Sequence, residues 1–156
     1  MRTGFLAMSA ALPLSRRGAF ILFEGIDRCG KSTQSTHLAK ALPNAELIRF
    51  PNRETVVWVQ YRPYQRIYSI QQVIGQIISS YLGSSSELSD ETIHLLFSAN
   101  RWEAVAALES KLTSGTHLIC DRYAYSGVAF SAAKGMNYQW CKNCDAGLIG
   151  DCLRIY

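Results

Sequence analysis

The chain has 156 residues, of which 48% are hydrophobic and 18% charged, and this composition excludes intrinsic disorder and collagen-like repeats. Charged residues or glutamines interrupt every apolar run well before the roughly 20 residues that a bilayer crossing needs, so we expect one soluble globular domain. The formal net charge of +4 suits an anionic small ligand as readily as nucleic acid. The five cysteines are an odd number, which indicates reduced thiols rather than a disulfide framework.

Residues 1–17 carry three arginines and no acidic residue, a composition typical of an organelle transit peptide. The alternative is a plain N-terminal tail, because Arg16 and Arg17 directly precede the first predicted strand and Met8 offers a second start. We assign residues 1–17 to a tail separate from the domain. A cytoplasmic or nuclear protein is expected unless this tail directs import into an organelle.

A glycine-rich loop follows the first predicted strand. Residues 18–23 form a nearly continuous apolar run, as expected for a strand covered on both faces of a parallel sheet. The next residues match G-x-x-x-x-G-K-[ST] from Gly25 to Ser32, and residues 32–42 have a helical pattern. In such a loop, backbone N–H groups surround the phosphates, Lys31 reaches the β/γ-phosphates, and the Ser32 hydroxyl ligates Mg²⁺. The residues predicted to bind the nucleotide are Arg28, Cys29, Gly30, Lys31, Ser32 and Thr33.

Two further predicted elements follow this first strand–loop–helix unit. Residues 46–50 have the pattern of a second strand, and Arg53 in the loop behind it is a candidate phosphate clamp, because ligands bind at the carboxyl ends of parallel strands. Residues 88–112 have apolar residues at helical spacing, and Ser89 is the candidate cap at the start of this helix. Most of these residues belong to the core. The polar exceptions Asn100 and Arg101 either are solvated or line a pocket.

The third predicted strand, residues 117–121, ends in a carboxylate. Asp121 is either an acid of the Walker B type, which holds Mg²⁺ directly or through water, or only a helix cap. Arg122 follows it at the same end of the sheet. Arg28 is either an arginine finger supplied by the chain itself or a solvated loop charge. Five cations are together numerous enough to hold two phosphorylated ligands end to end, as a phosphotransferase requires: Lys31, Arg28, Arg53, Arg101 and Arg122.

Four sequence blocks occur together in one order: FEGIDRCGKSTQ (residues 23–34), RFP (49–51), HLLFSANRWE (94–103) and DRYAYSGVAF (121–130). In this combination the chain resembles the thymidylate kinase (dTMP kinase) family in its eukaryotic and poxviral style. The resemblance covers about residues 18–55 and 74–141. The glycine-rich loop by itself predicts only nucleotide binding, whereas the four blocks together are highly specific.

The resemblance implies ATP- and Mg²⁺-dependent phosphorylation of dTMP to dTDP in dTTP biosynthesis, by a homodimer without a nucleic-acid or membrane partner. Its implied catalytic residues are Asp27, at the sugar hydroxyl or phosphoryl acceptor, with Arg28, Lys31 and Arg122. Its implied dTMP site comprises Arg53 and Arg122 at the phosphate, Phe50 and Phe97 as walls of the base site, Arg101 at a thymine carbonyl, Phe130 at the 2′ position, and also Asp27 and Gly127. The Mg²⁺ ligands predicted from the glycine-rich loop and the end of the third strand are Ser32 and Asp121.

The chain departs from the family pattern in two places. Residues 56–73 are extra and contain aromatic and basic side chains without an acid. They could form a stacking platform for single-stranded nucleic acid, but a lineage insertion or an unusual gene-model or splicing product is the preferred interpretation. The family pattern also continues beyond residue 156 with a lid and an adenine pocket, so we expect a reduced kcat.

The last residues offer two weaker signals. Residues 148–156 could begin another strand, although Arg154 does not suit one. The cysteines Cys141, Cys144 and Cys152 suggest structural zinc, but no second pair and no well-spaced histidine accompanies them.

The predicted fold class is α/β, a P-loop NTPase with a nucleoside-monophosphate-kinase-like parallel sheet flanked by helices, incomplete at its C-terminal side. Residues 18–156 would form this partial kinase domain, with the insertion at 56–73. The predicted function is that of a dTMP kinase. The alternative is a catalytically impaired truncated variant that binds nucleotide or pairs with a full-length subunit.

Overall fold

The computed structural model describes residues 17–53, 70–150 and 152–156. Nearly all of the predicted tail and most of the predicted insertion at 56–73 lie outside these described residues. The strands are β1 (Phe20–Phe23), β2 (Ala45–Arg49), β3 (His117–Asp121) and β4 (Leu153–Ile155). The helices are α1 (Lys31–Ala41), α2 (Ile70–Leu82), α3 (Asp90–Thr113), α4 (Ala124–Ala133) and α5 (Tyr138–Cys144).

The four strands form one parallel sheet in the order β2-β3-β1-β4. Helices cover both faces of the sheet, which explains the continuous apolar run of β1. Phe20 and Leu22 pack with Leu112 of α3 on one face, while Ile21 packs with Leu38 of α1 on the other. The predicted α/β class with a parallel sheet flanked by helices is therefore confirmed.

Strand β4 shows where the expectation about Arg154 was wrong. The strand pairs with β1 at the edge of the described sheet, and all three of its residues are exposed. The Arg154 guanidinium carbon lies 4.8 Å from the centre of the Tyr125 ring. An arginine is acceptable here because a strand exposed to solvent does not require its side chains to be apolar, and its guanidinium stacks on an aromatic ring.

Helix α3 supplies both core and polar side chains. The predicted cap is confirmed, because the Ser89 hydroxyl accepts a hydrogen bond from the Thr92 N–H at 3.2 Å. Asn100 and Arg101 are each only 3% exposed, so the alternative that they are solvated was wrong. Asn100 bonds both the N–H and the carbonyl of Asn52, which fixes the loop after β2 to this helix.

The helices and the cysteines of the described residues bear on two earlier points, the absence of a membrane span and the suggestion of structural zinc. No helix in the described part of the chain is long and apolar enough to cross a membrane. Within the same residues, no group of three or more histidine, cysteine or acidic side chains is arranged to hold a metal ion. Cys141, Cys144 and Cys152 form no disulfide with any residue that the structure describes.

Replacing Leu112 with alanine should lower the free energy of unfolding by about 3 kcal/mol, because the side chain is fully buried between α3 and the sheet. Leu95→Ala is the matched control on the same helix, since Leu95 is 49% exposed, and should change stability by less than about 1 kcal/mol. Urea denaturation followed by circular dichroism measures both. Equal losses in the two variants would contradict the assigned core.

Candidate active site

The glycine-rich loop connects β1 to α1 at the carboxyl edge of the sheet. Gly25 and Gly30 have φ angles of 137° and 88°, which L side chains rarely adopt. These two residues turn the loop back toward the start of α1. The first turn of α1 contains no acidic residue, so its N-terminal N–H groups and positive dipole end are available to an anion.

Lys31 occupies the first position of α1 and is only 8% exposed. Its ammonium group donates to the Ile26 carbonyl oxygen, and it lies 3.4 Å from the Cys29 sulfur. The ammonium is therefore enclosed by the loop itself. Phosphate oxygens bound within the loop would compete with the Ile26 carbonyl for the same donor.

Asp121 is the last residue of β3, and one of its carboxylate oxygens accepts hydrogen bonds from two neighbouring side chains. Its Oδ2 accepts a hydrogen bond from the Ser32 hydroxyl at 2.5 Å and another from Arg49 Nε at 2.9 Å. The Asp121 side chain is 4% exposed, while that of Arg49 is 58% exposed. Two hard oxygen donors thus converge beside the phosphate loop, which is the donor chemistry that Mg²⁺ prefers.

Arg122 connects the glycine-rich loop with α4. Its guanidinium pairs with Asp27 and donates from Nη1 to the Gly25 carbonyl at 3.2 Å and to the Ser126 hydroxyl at 3.1 Å. It also lies over the Phe130 ring, 5.4 Å from the ring centre. The residue has a φ angle of 68°, in the left-handed region that a non-glycine side chain adopts at some cost.

Glu24 holds this backbone conformation in place. The residue is 2% exposed, and its Oε1 accepts a hydrogen bond from the Tyr123 N–H at 2.9 Å. Its Oε2 accepts from the Ser126 hydroxyl. The carboxylate thereby ties the residue after β1 to two residues that follow Arg122 in the chain, and we infer that it positions that guanidinium.

The opposite end of the cleft is built from α3 and α4. Phe97 is half-buried and Arg101 almost fully buried, one helical turn apart on α3. Gly127 of α4 lies directly against the Arg101 guanidinium, because a Cβ at this position would be 3.2 Å from Nη1. Phe130, 50% exposed, lies one turn further along α4. This end is more aromatic than the loop end and suits a flat ring.

One cleft of about 1360 Å³ unites these groups. Every predicted site residue except Cys29 lines it: Asp27, Arg28, Gly30, Lys31, Ser32, Thr33, Phe50, Arg53, Phe97, Arg101, Asp121, Arg122, Gly127 and Phe130. Cys29 is exposed within the loop, and Phe50 is itself largely buried in the core. The structure thus brings together residues that lie up to about a hundred positions apart in the chain.

The sequence reasoning missed several polar contributors to this cleft. Arg49 belongs to one of the four family blocks, and its place at the end of a strand was a usable signal for a role in the cleft. Glu24 stood next to the glycine-rich loop but looked like an ordinary strand end. Asp145, which pairs with Arg101, gave no signal, since 44 residues separate the two in the chain.

Burial also sets the protonation of two side chains beside the cleft. The pKa of the Tyr123 hydroxyl is raised well above its usual value, chiefly by burial, and that oxygen has no hydrogen-bond partner among the described residues. Burial, reinforced by the negative charge of Glu24, also raises the pKa of the Cys120 thiol. Both groups therefore remain neutral at physiological pH.

Comparison with known proteins agrees with this arrangement. A family model described as thymidylate kinase matches residues 70–152, which include α3, β3 and α4. The thymidylate kinase of Arabidopsis thaliana is 51% identical over 137 residues, covering 85% of this chain and 46% of that protein. The human thymidylate kinase is 48% identical over 139 residues, covering 86% of this chain and 58% of that protein.

The chain belongs to the thymidylate kinase family. A solved thymidylate kinase from Candida albicans has a TM-score of 0.62 and 39% identity, covering 83% of this chain and 55% of that one. One from Ehrlichia chaffeensis, with 24% identity and a TM-score of 0.65, covers 90% of this chain and 68% of that one and supports the fold. The chain spans about half the length of the curated thymidylate kinases it matches.

Glu24→Ala should lower the free energy of unfolding by about 2–4 kcal/mol, because it leaves the buried Tyr123 N–H without its acceptor. Glu109→Ala is the control, since Glu109 is an exposed acid on α3 and its loss should cost at most about 0.5 kcal/mol. Chemical denaturation of both variants measures the difference. A Glu24 variant as stable as the control would show that the turn carrying Arg122 does not depend on this carboxylate.

Proposed function

We propose that the protein catalyses the Mg²⁺-dependent transfer of the γ-phosphoryl group of ATP to dTMP, giving dTDP for dTTP synthesis. The observation that carries this proposal is the single cleft with a phosphate loop at one end and an aromatic, guanidinium-bearing site at the other. Its volume exceeds what one small ligand needs and is sufficient for a donor and an acceptor. Membership of the thymidylate kinase family supports the same reaction.

The donor end suits the polyphosphate of ATP. The loop with Gly30 and the α1 N-terminus would surround the β- and γ-phosphates, and Lys31 would exchange its Ile26 contact for a phosphate oxygen. Ser32 and Asp121 would hold the metal, since their oxygens already converge. When bound, Mg²⁺ would neutralise phosphate charge that develops during the transfer.

The acceptor end suits dTMP. Arg53 and Arg122 would hold its phosphate, with Arg122 exchanging part of its contact with Asp27 for phosphate oxygens. The base would lie between aromatic walls and present a carbonyl to Arg101. The remaining proposed contacts are Phe50 and Phe97 at the base, Phe130 at the 2′ position, Asp27 near the sugar and acceptor, and Gly127 beside Arg101.

In the proposed step, a phosphate oxygen of dTMP attacks the γ-phosphorus of ATP in line. The new O–P bond forms as the bond to the β,γ-bridging oxygen breaks, and ADP leaves with that oxygen. No covalent enzyme intermediate is required, so the protein contributes positioning and charge. Lys31 and Arg28 would balance the charge on the transferred group.

Lys31→Ala should lower dTMP-dependent ADP formation by about 100-fold or more, because the variant loses a cation proposed to balance the charge on the transferred phosphoryl group. Lys40→Ala is the matched control, since Lys40 is exposed in the last turn of the same helix, and it should keep full activity. ADP release with ATP, Mg²⁺ and dTMP is the measurement. Activity in Lys31→Ala equal to that of the wild type would refute the phosphate-binding role assigned to this loop.

A folded wild-type chain that binds ATP but forms no ADP with dTMP would contradict the proposal. That result would favour the alternative of an impaired variant that binds nucleotide or pairs with a full-length subunit. Preference for UMP, dUMP or dGMP over dTMP would contradict the proposed substrate instead.

Asp121→Asn should weaken Mn²⁺ binding in the presence of a non-hydrolysable ATP analogue by about 10-fold or more, because an amide oxygen carries no negative charge. Electron paramagnetic resonance of free Mn²⁺ gives this affinity without turnover. Binding of the analogue without metal should change much less. Unchanged Mn²⁺ affinity would remove Asp121 from the proposed metal site.

The family resemblance also supports a homodimer in the cytoplasm or nucleus, with organelle import by residues 1–17 as the alternative. Light scattering during gel filtration tests the dimer. Fluorescent fusions with and without residues 1–17 test the location.

A further inference from the structure

A buried ion pair lies at the aromatic end of the cleft. Arg101 donates from Nε to Asp145 Oδ1 at 3.1 Å, and from Nη2 to Oδ1 at 2.9 Å and Oδ2 at 2.7 Å. Both side chains are at most 5% exposed. Replacing a buried ion pair with apolar side chains of the same volume seldom lowers the stability of a protein. Stability by itself therefore does not explain why this ion pair is present.

The Asp145 carboxylate is itself firmly held. The Ser98 hydroxyl shares its single proton between Asp145 Oδ1 and the Cys144 carbonyl oxygen, each at 2.9 Å. The Trp102 indole N–H donates to the same carbonyl at 2.9 Å. Ser98, Arg101 and Trp102 lie on one face of α3, so the end of α5 is fixed to that face at three points.

The pairing with Asp145 uses only two of the three guanidinium nitrogens of Arg101. Nε and Nη2 are bound to Asp145, whereas Nη1 makes no hydrogen bond to any residue that the structure describes. The guanidinium rests against Gly127, and Arg101 lines the cleft beside Phe97. The remaining N–H donors of Arg101 are therefore those that a ligand at this end of the cleft could use.

Charge distinguishes the two ends of the cleft. Asp145 cancels the charge of Arg101, so the aromatic end offers a fixed N–H donor with little net charge. The loop end carries Lys31, Arg28 and Arg53, which attract phosphate. An N–H donor that is held in one orientation, with its charge balanced by a carboxylate, donates to a carbonyl oxygen and opposes an amino group, which is itself a donor.

We infer that Asp145 is a positioning and specificity residue. It fixes the orientation of Arg101 and cancels its charge, so that the aromatic end selects a pyrimidine with a carbonyl at carbon 4 and does not attract a phosphate. This inference rests on the proposed dTMP site. Asp145 acts through Arg101 and does not touch the substrate.

A double-mutant cycle tests this inference. Asp145→Asn keeps the shape of the side chain but removes the negative charge that balances the buried Arg101 guanidinium. It also places an amide N–H, a donor, against the N–H donors of Arg101. We expect it to weaken dTMP binding by about 10-fold, to lower the preference for dTMP over dCMP by a similar factor, and to change ATP binding by less than about 2-fold. In an Arg101→Gln background, the same substitution should alter dTMP binding by less than about 2-fold.

Calorimetric binding of dTMP, dCMP and a non-hydrolysable ATP analogue to the full 156-residue chain is the measurement. Asp90→Asn is the chemical control, because Asp90 pairs with Lys134 on the surface, and dTMP binding should not change. Ser98→Ala is a milder second variant that removes one hydrogen bond to Asp145 Oδ1, and should weaken dTMP binding by about 3-fold with ATP binding unchanged.

The inference is overturned if Asp145→Asn binds dTMP like the wild type, if it weakens ATP binding as strongly as dTMP binding, or if its effect persists in the Arg101→Gln background. Should Asp145→Asn fail to fold by circular dichroism, Ser98→Ala decides: unchanged dTMP binding overturns the inference. A wild-type chain that binds dTMP without turnover refutes only the proposed activity, because every binding comparison remains valid. A wild-type chain that does not bind dTMP overturns both.

Discussion

The parallel pairing of β3 with both of its neighbours is the constraint on which the site depends. In this register Asp121 lies beside Phe23 of β1 and Arg49 of β2, so three chain segments reach the same edge of the sheet together. Because the carboxyl ends of parallel strands all lie at one edge of the sheet, the loops after β1, β2 and β3 lie next to one another there. A shift of one residue would turn Asp121 to the other face of the sheet and separate it from Ser32.

Three buried or nearly buried carboxylates then organise the cations of the cleft. Glu24 holds the turn that carries Arg122, Asp121 holds Ser32 and Arg49, and Asp145 holds Arg101. Each carboxylate is compensated by charged or hydrogen-bonding partners, as burial requires. The result is a set of basic groups whose geometry is fixed before a ligand arrives, which lowers the ordering cost of binding.

Helix α3 links the core to the site in a single rigid element. Its C-terminal half packs Leu108 and Leu112 against the sheet, while its middle carries Ser98 and Arg101 toward α5 and the cleft. The orientation of the aromatic end therefore depends on the same packing that stabilises the fold. Gly127 completes this junction, because a larger residue there would crowd the guanidinium.

The sequence by itself determined the parallel α/β class, the phosphate loop, the three main strands and the cap of α3, because these follow from local patterns of a few residues. It also indicated, through the four family blocks, which residues to expect in the cleft. Only the tertiary structure decided that Arg101 is paired with Asp145, that Glu24 supports Arg122, and that Arg154 lies on an exposed edge strand. These contacts join residues that lie 29 to about 100 positions apart, and the place of Arg154 also depends on which strand lies at the edge of the sheet. No local pattern in the chain encodes either.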